Sequence, residues 1–229
     1  MLVAGNWKMY DGPDPRALAQ RLARIDGVEA VVCPPYLRLG ACVEAGLTTF
    51  AQNVHWEPEG AYTGEISPTM LLAAGARGSL VGHSERRQYF GETDEGVARR
   101  AEAALRAGLR VIACVGETQE EREAGDTATV LRVQIAALAA ACGADDNLVV
   151  AYEPVWAIGT GLTATPDIVE QAHETIKSLL DCPVLYGGSV KPENAEELLA
   201  LSAVDGALVG GASLEIESFA AICEAAARL

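Results

Sequence analysis

Eight short apolar runs recur along the chain: LVAGNW (2–7), EAVVCP (29–34), LTTFAQ (47–52), SLVGH (79–83), LRVIACVG (109–116), NLVVAYE (147–153), PVLYGG (183–188) and VDGALVGG (204–211). They are aliphatic or β-branched, bounded by Gly, Pro or Asp, and too short for helices. Near-continuous apolar strands, as opposed to alternating ones, predict a sheet buried on both faces, and hence a parallel one. The segments between them carry helical spacing. Helices are predicted over 15–25, 93–109, 165–180, 191–201 and 213–229, with Thr93 as an N-cap and Thr165-Pro166 as Ncap and N1. The stretch 120–142 reads as one helix or two, because Gly125 interrupts it. Eight strands alternating with helices predict one α/β domain over 1–229, a closed (β/α)8 barrel; a doubly wound open sheet is the alternative.

Composition narrows the functional classes. With 17 basic and 32 acidic residues the formal charge is −15, which disfavours nonspecific binding to nucleic acid or to an anionic membrane. A small anionic substrate responds instead to the local field of one cleft. The six cysteines are scattered, without CxxC pairs or a histidine at ligand spacing, so they read as reduced core residues, and no metal is expected. The start MLVAGNWK lacks the pattern of a secretory signal, and no apolar run approaches the ~20 residues of a membrane helix. These features predict a cytoplasmic protein.

Barrel chemistry sits at the carboxyl ends of the strands. Those ends carry Asn6, Trp7 and Lys8 after strand 1, His83, Ser84 and Glu85 after strand 4, Gly116 and Glu117 after strand 5, and Glu153 after strand 6. The turns YGGSV and LVGGAS follow strands 7 and 8. A GG dipeptide alone marks a tight turn. Two such turns at these strand ends, each feeding a helix, point to main-chain amides that bind a phosphate. Lys8 follows a buried strand directly, which aims a cation at the barrel mouth of an acidic protein. His83 sits at a helix start, where the positive end of the helix dipole favours an uncharged imidazole. His55 and His173 lack that setting and read as surface or packing residues. Glu153 is followed by Pro154, Val155, Trp156 and Ile158, then by glycines at 159 and 161. An apolar loop with such ends can fold over a carboxylate and strip its water, which suits a base that removes a carbon-bound proton. The string GTGLTA (159–164) fits a dinucleotide-binding pattern, but it does not follow a strand directly, and Asp181 precedes the next strand where the pattern needs an acid at its end.

Taken together, NWKM (6–9), AQNV with GAYTGEIS (51–67), VGHSERRQYFGE (81–92), CVGET (114–118), AYEPVWAIGTG (151–161), YGGSVKPEN (186–194) and LVGGASL (208–214) closely resemble the triosephosphate isomerase family, in order and over the whole chain. The resemblance implies the TIM barrel fold and the interconversion of two triose phosphates without a cofactor. It implies Glu153 as the base, His83 as a neutral electrophile and Lys8 as the charge that offsets the developing anion. Asn6 and Lys8 would hold the substrate, and amides of Gly159, Ser189, Gly210 and Gly211 would hold its phosphate. Ser84 would support the base in the open form, and Glu85 would lie close to Lys8. The segment QNVHWEPEGAYTGEIS resembles the family's interlocking loop, with Thr63 near its tip, and implies a homodimer. Two departures stand out: a short first helix, and Tyr10 where the family often has Asn.

Overall fold

The structure is a computed structural model and describes residues 1–158 and 164–229. Eight strands form one parallel sheet: β1 (Leu2–Asn6), β2 (Glu29–Cys33), β3 (Phe50–Ala51), β4 (Gly78–Val81), β5 (Arg110–Val115), β6 (Leu148–Tyr152), β7 (Val184–Tyr186) and β8 (Gly206–Val209). Their order is β2-β1-β8-β7-β6-β5-β4-β3, and a single parallel bridge, Val32 to Thr49, spans the remaining seam between β2 and β3. The sheet is thus a barrel, and the open-sheet alternative falls. The run 47–52 contributes only two strand residues, because Thr48 meets β2 through its carbonyl alone, accepting from Val32 N–H at 2.9 Å.

The described helices are α1 (Pro15–Leu22), α2 (Tyr36–Glu44), α3 (Pro68–Ala73), α4 (Ser84–Phe90), α5 (Asp94–Arg106), α6 (Gln119–Glu123), α7 (Thr127–Cys142), α8 (Pro166–Leu179), α9 (Ala195–Leu199) and α10 (Ile216–Ala227). Thr93 caps α5 as predicted, its hydroxyl accepting from Gly96 N–H. Thr165 holds the N-cap position of α8 but makes no side-chain capping bond. The region 120–142 resolves into two helices; Thr118 opens α6 with a capping box, and Gly125 at φ +80° ends it. α1 ends at Leu22, short of the predicted 15–25, and α9 is shorter than the run 191–201. Among the described residues, no helix is long and apolar enough to cross a membrane.

Strand alternation splits the core in two. Leu2, Ala4, Val31, Cys33, Leu80, Ile112, Cys114, Val149, Ala151, Leu185 and Leu208 fill the barrel interior. Val3, Val111, Ala113, Val115, Leu148, Val150 and Tyr152 face the helices. That parity decides which residues beyond the strand ends reach the barrel mouth. Asn6 continues the inward series of Leu2 and Ala4, Glu153 that of Val149 and Ala151, Gly187 that of Leu185, and Gly210 that of Leu208. Glu117 continues the outward series of β5 and is buried behind the barrel wall.

Candidate active site

The inward series converges on a cavity of about 230 Å³ lined by Asn6, Lys8, His83, Glu153, Ile158, Ser189, Gly210, Gly211 and their neighbours. A larger cavity, about 990 Å³, opens among the strands' amino ends beside Met1, Glu29, Arg110 and Asp205. It brings together none of the predicted groups. The small cavity suits a metabolite well below drug size.

Lys8 has φ +51°, the only positive φ outside glycine among the described residues. A left-handed lysine costs about 1 kcal/mol and persists only where its surroundings hold it. Three contacts do so. Its N–H donates to Asn6 Oδ1 at 2.9 Å, its carbonyl accepts from Gln52 Nε2 at 2.8 Å, and its ammonium donates to Glu85 Oε1 at 2.6 Å. Gln52 gives its second amide hydrogen to Cys33 O, also at 2.8 Å, so one side chain ties the ends of β1 and β2 together.

Gly82 at φ +67° turns the chain after β4 and re-aims His83, which would otherwise continue the outward series of Val81. His83 is the N-cap of α4, and its Nδ1 accepts from Glu85 N–H at 3.2 Å. An accepting Nδ1 assigns the proton of a neutral imidazole to Nε2. Nε2 lies 3.0 Å from Oε1 of Glu153. The other carboxylate oxygen, Oε2, accepts from Ser84 N–H at 2.8 Å. Ser84 therefore meets the carboxylate through its main chain and not through its hydroxyl. Glu153 is 2% exposed and sits between two glycines. A Cβ on Gly116 would collide with its carbonyl, and one on Gly187 would lie 2.9 Å from its Cγ.

Behind the wall, Oε1 of the fully buried Glu117 accepts from Tyr152 O–H at 3.1 Å and from Trp156 Nε1–H at 3.0 Å. Arg122 Nη1 approaches the same oxygen at 3.5 Å, and its guanidinium stacks over the Trp156 ring. Burial, reinforced by the Glu117 charge, pushes the Tyr152 phenol up, so it remains a donor. Glu117 thus anchors the first turn of the apolar segment, Val155–Ala157, that follows the candidate base.

The turn after β7 lies beside that segment: Ser189 Oγ donates to Ala157 O at 3.3 Å. Lys191 adds a second cation to the cavity lining. The structure therefore gathers Asn6, Lys8, His83, Glu153, Ser189, Gly210 and Gly211 around one cavity, with Ser84 and Glu85 in contact with them. Gly159 lies outside the described residues. Thr63 is exposed and is not among the cavity residues. His55 and His173 are buried away from the cavity; His55 stacks on Trp56, and His173 packs between Tyr152 and Tyr186. Sequence reasoning missed Gln52 and Lys191 and gave Glu117 no role. Gln52 lies within AQN and Glu117 within CVGET, strings that drew attention without revealing what the side chains bond.

The profile of the family described as triosephosphate isomerase matches residues 1–226. The triosephosphate isomerase of Carboxydothermus hydrogenoformans is 48% identical over 96% of this chain and 96% of its own length. That of Geotalea uraniireducens is 46% identical over the same shares, and that of Xanthomonas axonopodis pv. citri 47% identical over 99% of this chain and 98% of its own. A match of this extent, on a barrel with this mouth, means that the chain belongs to the triosephosphate isomerase family.

Proposed function

We propose that the groups at the barrel mouth interconvert dihydroxyacetone phosphate and D-glyceraldehyde 3-phosphate, the glycolytic reaction of the family, with Glu153 as base, His83 as electrophile and Lys8 as charge partner. The observation that carries these roles is the meeting of a buried carboxylate, an imidazole with its proton on Nε2 and an ammonium group at one small cavity. The phosphate rests on amides of Ser189, Gly210 and Gly211, completed by Gly159. Lys8 supplies the positive charge and Asn6 fixes the turn that presents it.

Oε2 of Glu153 accepts from Ser84 N–H, and Oε1 lies 3.0 Å from His83 Nε2. Substrate binding draws the carboxylate past Gly187 toward C1 of dihydroxyacetone phosphate. Glu153 then takes one C1 proton, and the C–H electron pair moves toward C2. His83 Nε2–H, released from Glu153, donates to the C2 oxygen and stabilises the enediolate. Return of the proton to C2, with exchange of hydroxyl protons between O1 and O2, completes the isomerisation. The apolar segment from Val155 to Ile158 excludes water and so prevents loss of phosphate from the intermediate. Glu85 holds the Lys8 ammonium, and Ser84 holds the resting base.

The active form is a homodimer in the cytoplasm. Exposed apolar residues Met9, Tyr10, Leu37, Tyr62, Met70 and Phe90 all follow strands β1 to β4, which are consecutive around the barrel. Met9 is 95% and Leu37 99% exposed, and large apolar side chains left in water on one half of a barrel suit burial against a partner. The loop bearing Thr63 follows β3, in the same half of the barrel.

An assay coupled to reduction of dihydroxyacetone phosphate, started with glyceraldehyde 3-phosphate, tests the roles. Glu153→Asp withdraws the carboxylate by one methylene and should lower kcat by about a hundredfold or more while KM changes little. Near-normal turnover in that variant removes Glu153 from the base role.

A further inference from the structure

Ser213 lies just past the phosphate turn after β8, in a 3-10 turn (Gly211–Leu214), and is fully buried. Its hydroxyl donates to Gly210 O at 2.7 Å, and its N–H donates to the same carbonyl at 2.8 Å. Asn6 O lies 3.3 Å from the hydroxyl, a secondary acceptor at the end of β1. Two donors on one carbonyl lock the orientation of the Gly210–Gly211 peptide. In a trans peptide the N–H points opposite to the C=O, and no described peptide is cis. With the Gly210 carbonyl turned into the core, the Gly211 N–H points away from Ser213.

This peptide needs such a lock. It joins two glycines, so no Cβ resists its rotation. Gly210 itself has φ −87° and ψ −112°, outside the helical and strand regions. Gly5 leaves the space the lock requires, since a Cβ there would lie 2.9 Å from Ser213 Cβ. Gly210 also borders Lys8, whose Cε would be 3.4 Å from a Cβ at that position.

We infer that Ser213 is a positioning residue for the phosphate: its hydroxyl holds the Gly210–Gly211 peptide with the Gly211 N–H aimed at the anion, next to the Lys8 ammonium. The inference rests on the reading of this cavity as a triose phosphate site. It predicts that Ser213 acts on ground-state phosphate binding and not on proton transfer.

The test compares wild type with Ser213→Ala in steady-state kinetics, in competitive inhibition by inorganic phosphate and in thermal unfolding. Loss of one net hydrogen bond should raise KM and the inhibition constant for phosphate together by about three- to tenfold, with kcat within about twofold. A purely structural serine would lower the unfolding midpoint and leave the inhibition constant unchanged, which would overturn the role. A fall in kcat with KM and the inhibition constant unchanged would overturn it as well. Wild-type protein that neither isomerises the triose phosphates nor is inhibited by phosphate would remove the reading of the cavity, and this role with it.

Discussion

The side chain of Glu153 passes so close to Gly187 that a Cβ added at 187 would stand 2.9 Å from Glu153 Cγ and 3.1 Å from Tyr152 O. The Cγ is the joint about which the carboxylate must turn to leave Ser84 and His83 and reach substrate. Gly187→Ala should therefore cut kcat by about ten- to a hundredfold and lower stability by about 1–3 kcal/mol through overpacking. Steady-state kinetics of the variant measure the first effect; a kcat equal to wild type would show that the base does not turn through this space.

Gln52 links the carbonyls of Lys8 and Cys33, and both of its amide hydrogens are committed to them. Replacing it with Leu removes two hydrogen bonds of about 1 kcal/mol each from the backbone that holds Lys8 in its left-handed conformation. The expected outcome is a drop in kcat/KM of about tenfold or more, larger than the accompanying loss of stability accounts for. An unchanged kcat/KM would mean that Asn6 and Glu85 suffice to place Lys8.

His173 supplies a pH dependence of stability. Its Nδ1 lies 3.2 Å from Ala203 O and carries the proton of that bond, while Nε2 has no hydrogen-bond partner among the described residues. Burial, opposed by the Ala203 bond, lowers its pKa from 6.5 to about 4. Between those values the unfolded chain binds the proton and the folded chain does not, so stability falls as pH drops from 6.5 toward 4. The loss amounts to about 3 kcal/mol once both states are protonated. Urea midpoints of His173→Gln across that range should fall less steeply than those of wild type; parallel curves would assign the acid sensitivity to other groups.

The proposed dimer has a direct probe in its loop. Tyr62→Glu with Thr63→Glu places two like charges on an exposed loop outside the strands and helices of the barrel. Sedimentation velocity at micromolar concentration should show a shift from dimer toward monomer, with the far-ultraviolet circular dichroism retained. An unchanged sedimentation coefficient would exclude this loop from the interface.

Much of the barrel was legible because its signals are local. Eight apolar runs mark the strands and Thr93 and Pro166 mark helix starts, while Gly125 left one helix or two open until the structure showed two. The strand ends were legible too, since a residue directly past a buried strand can only lie at the rim. Asn6, Lys8, His83 and Glu153 share that position in the sequence, each at or just past the end of an apolar run. The two-residue extent of β3 was not legible, because it depends on how β2 and β4 pair around it.

The amino-acid sequence by itself determined the barrel, its family and the identity of the groups at its mouth, because apolar periodicity and short motifs act over a few residues. The tertiary structure alone decided how those groups meet. Lys8 and Glu85 are 77 positions apart and Ser84 and Glu153 are 69 apart, yet each pair is joined by one hydrogen bond. It also decided that Glu117 serves the wall behind the cavity and that Ser213 reaches Gly210 and Asn6, which lies 207 positions away. Contacts of this kind depend on strand parity, on the angle at Gly82 and on the space left by Gly5 and Gly187, quantities that exist only once the sheet has closed.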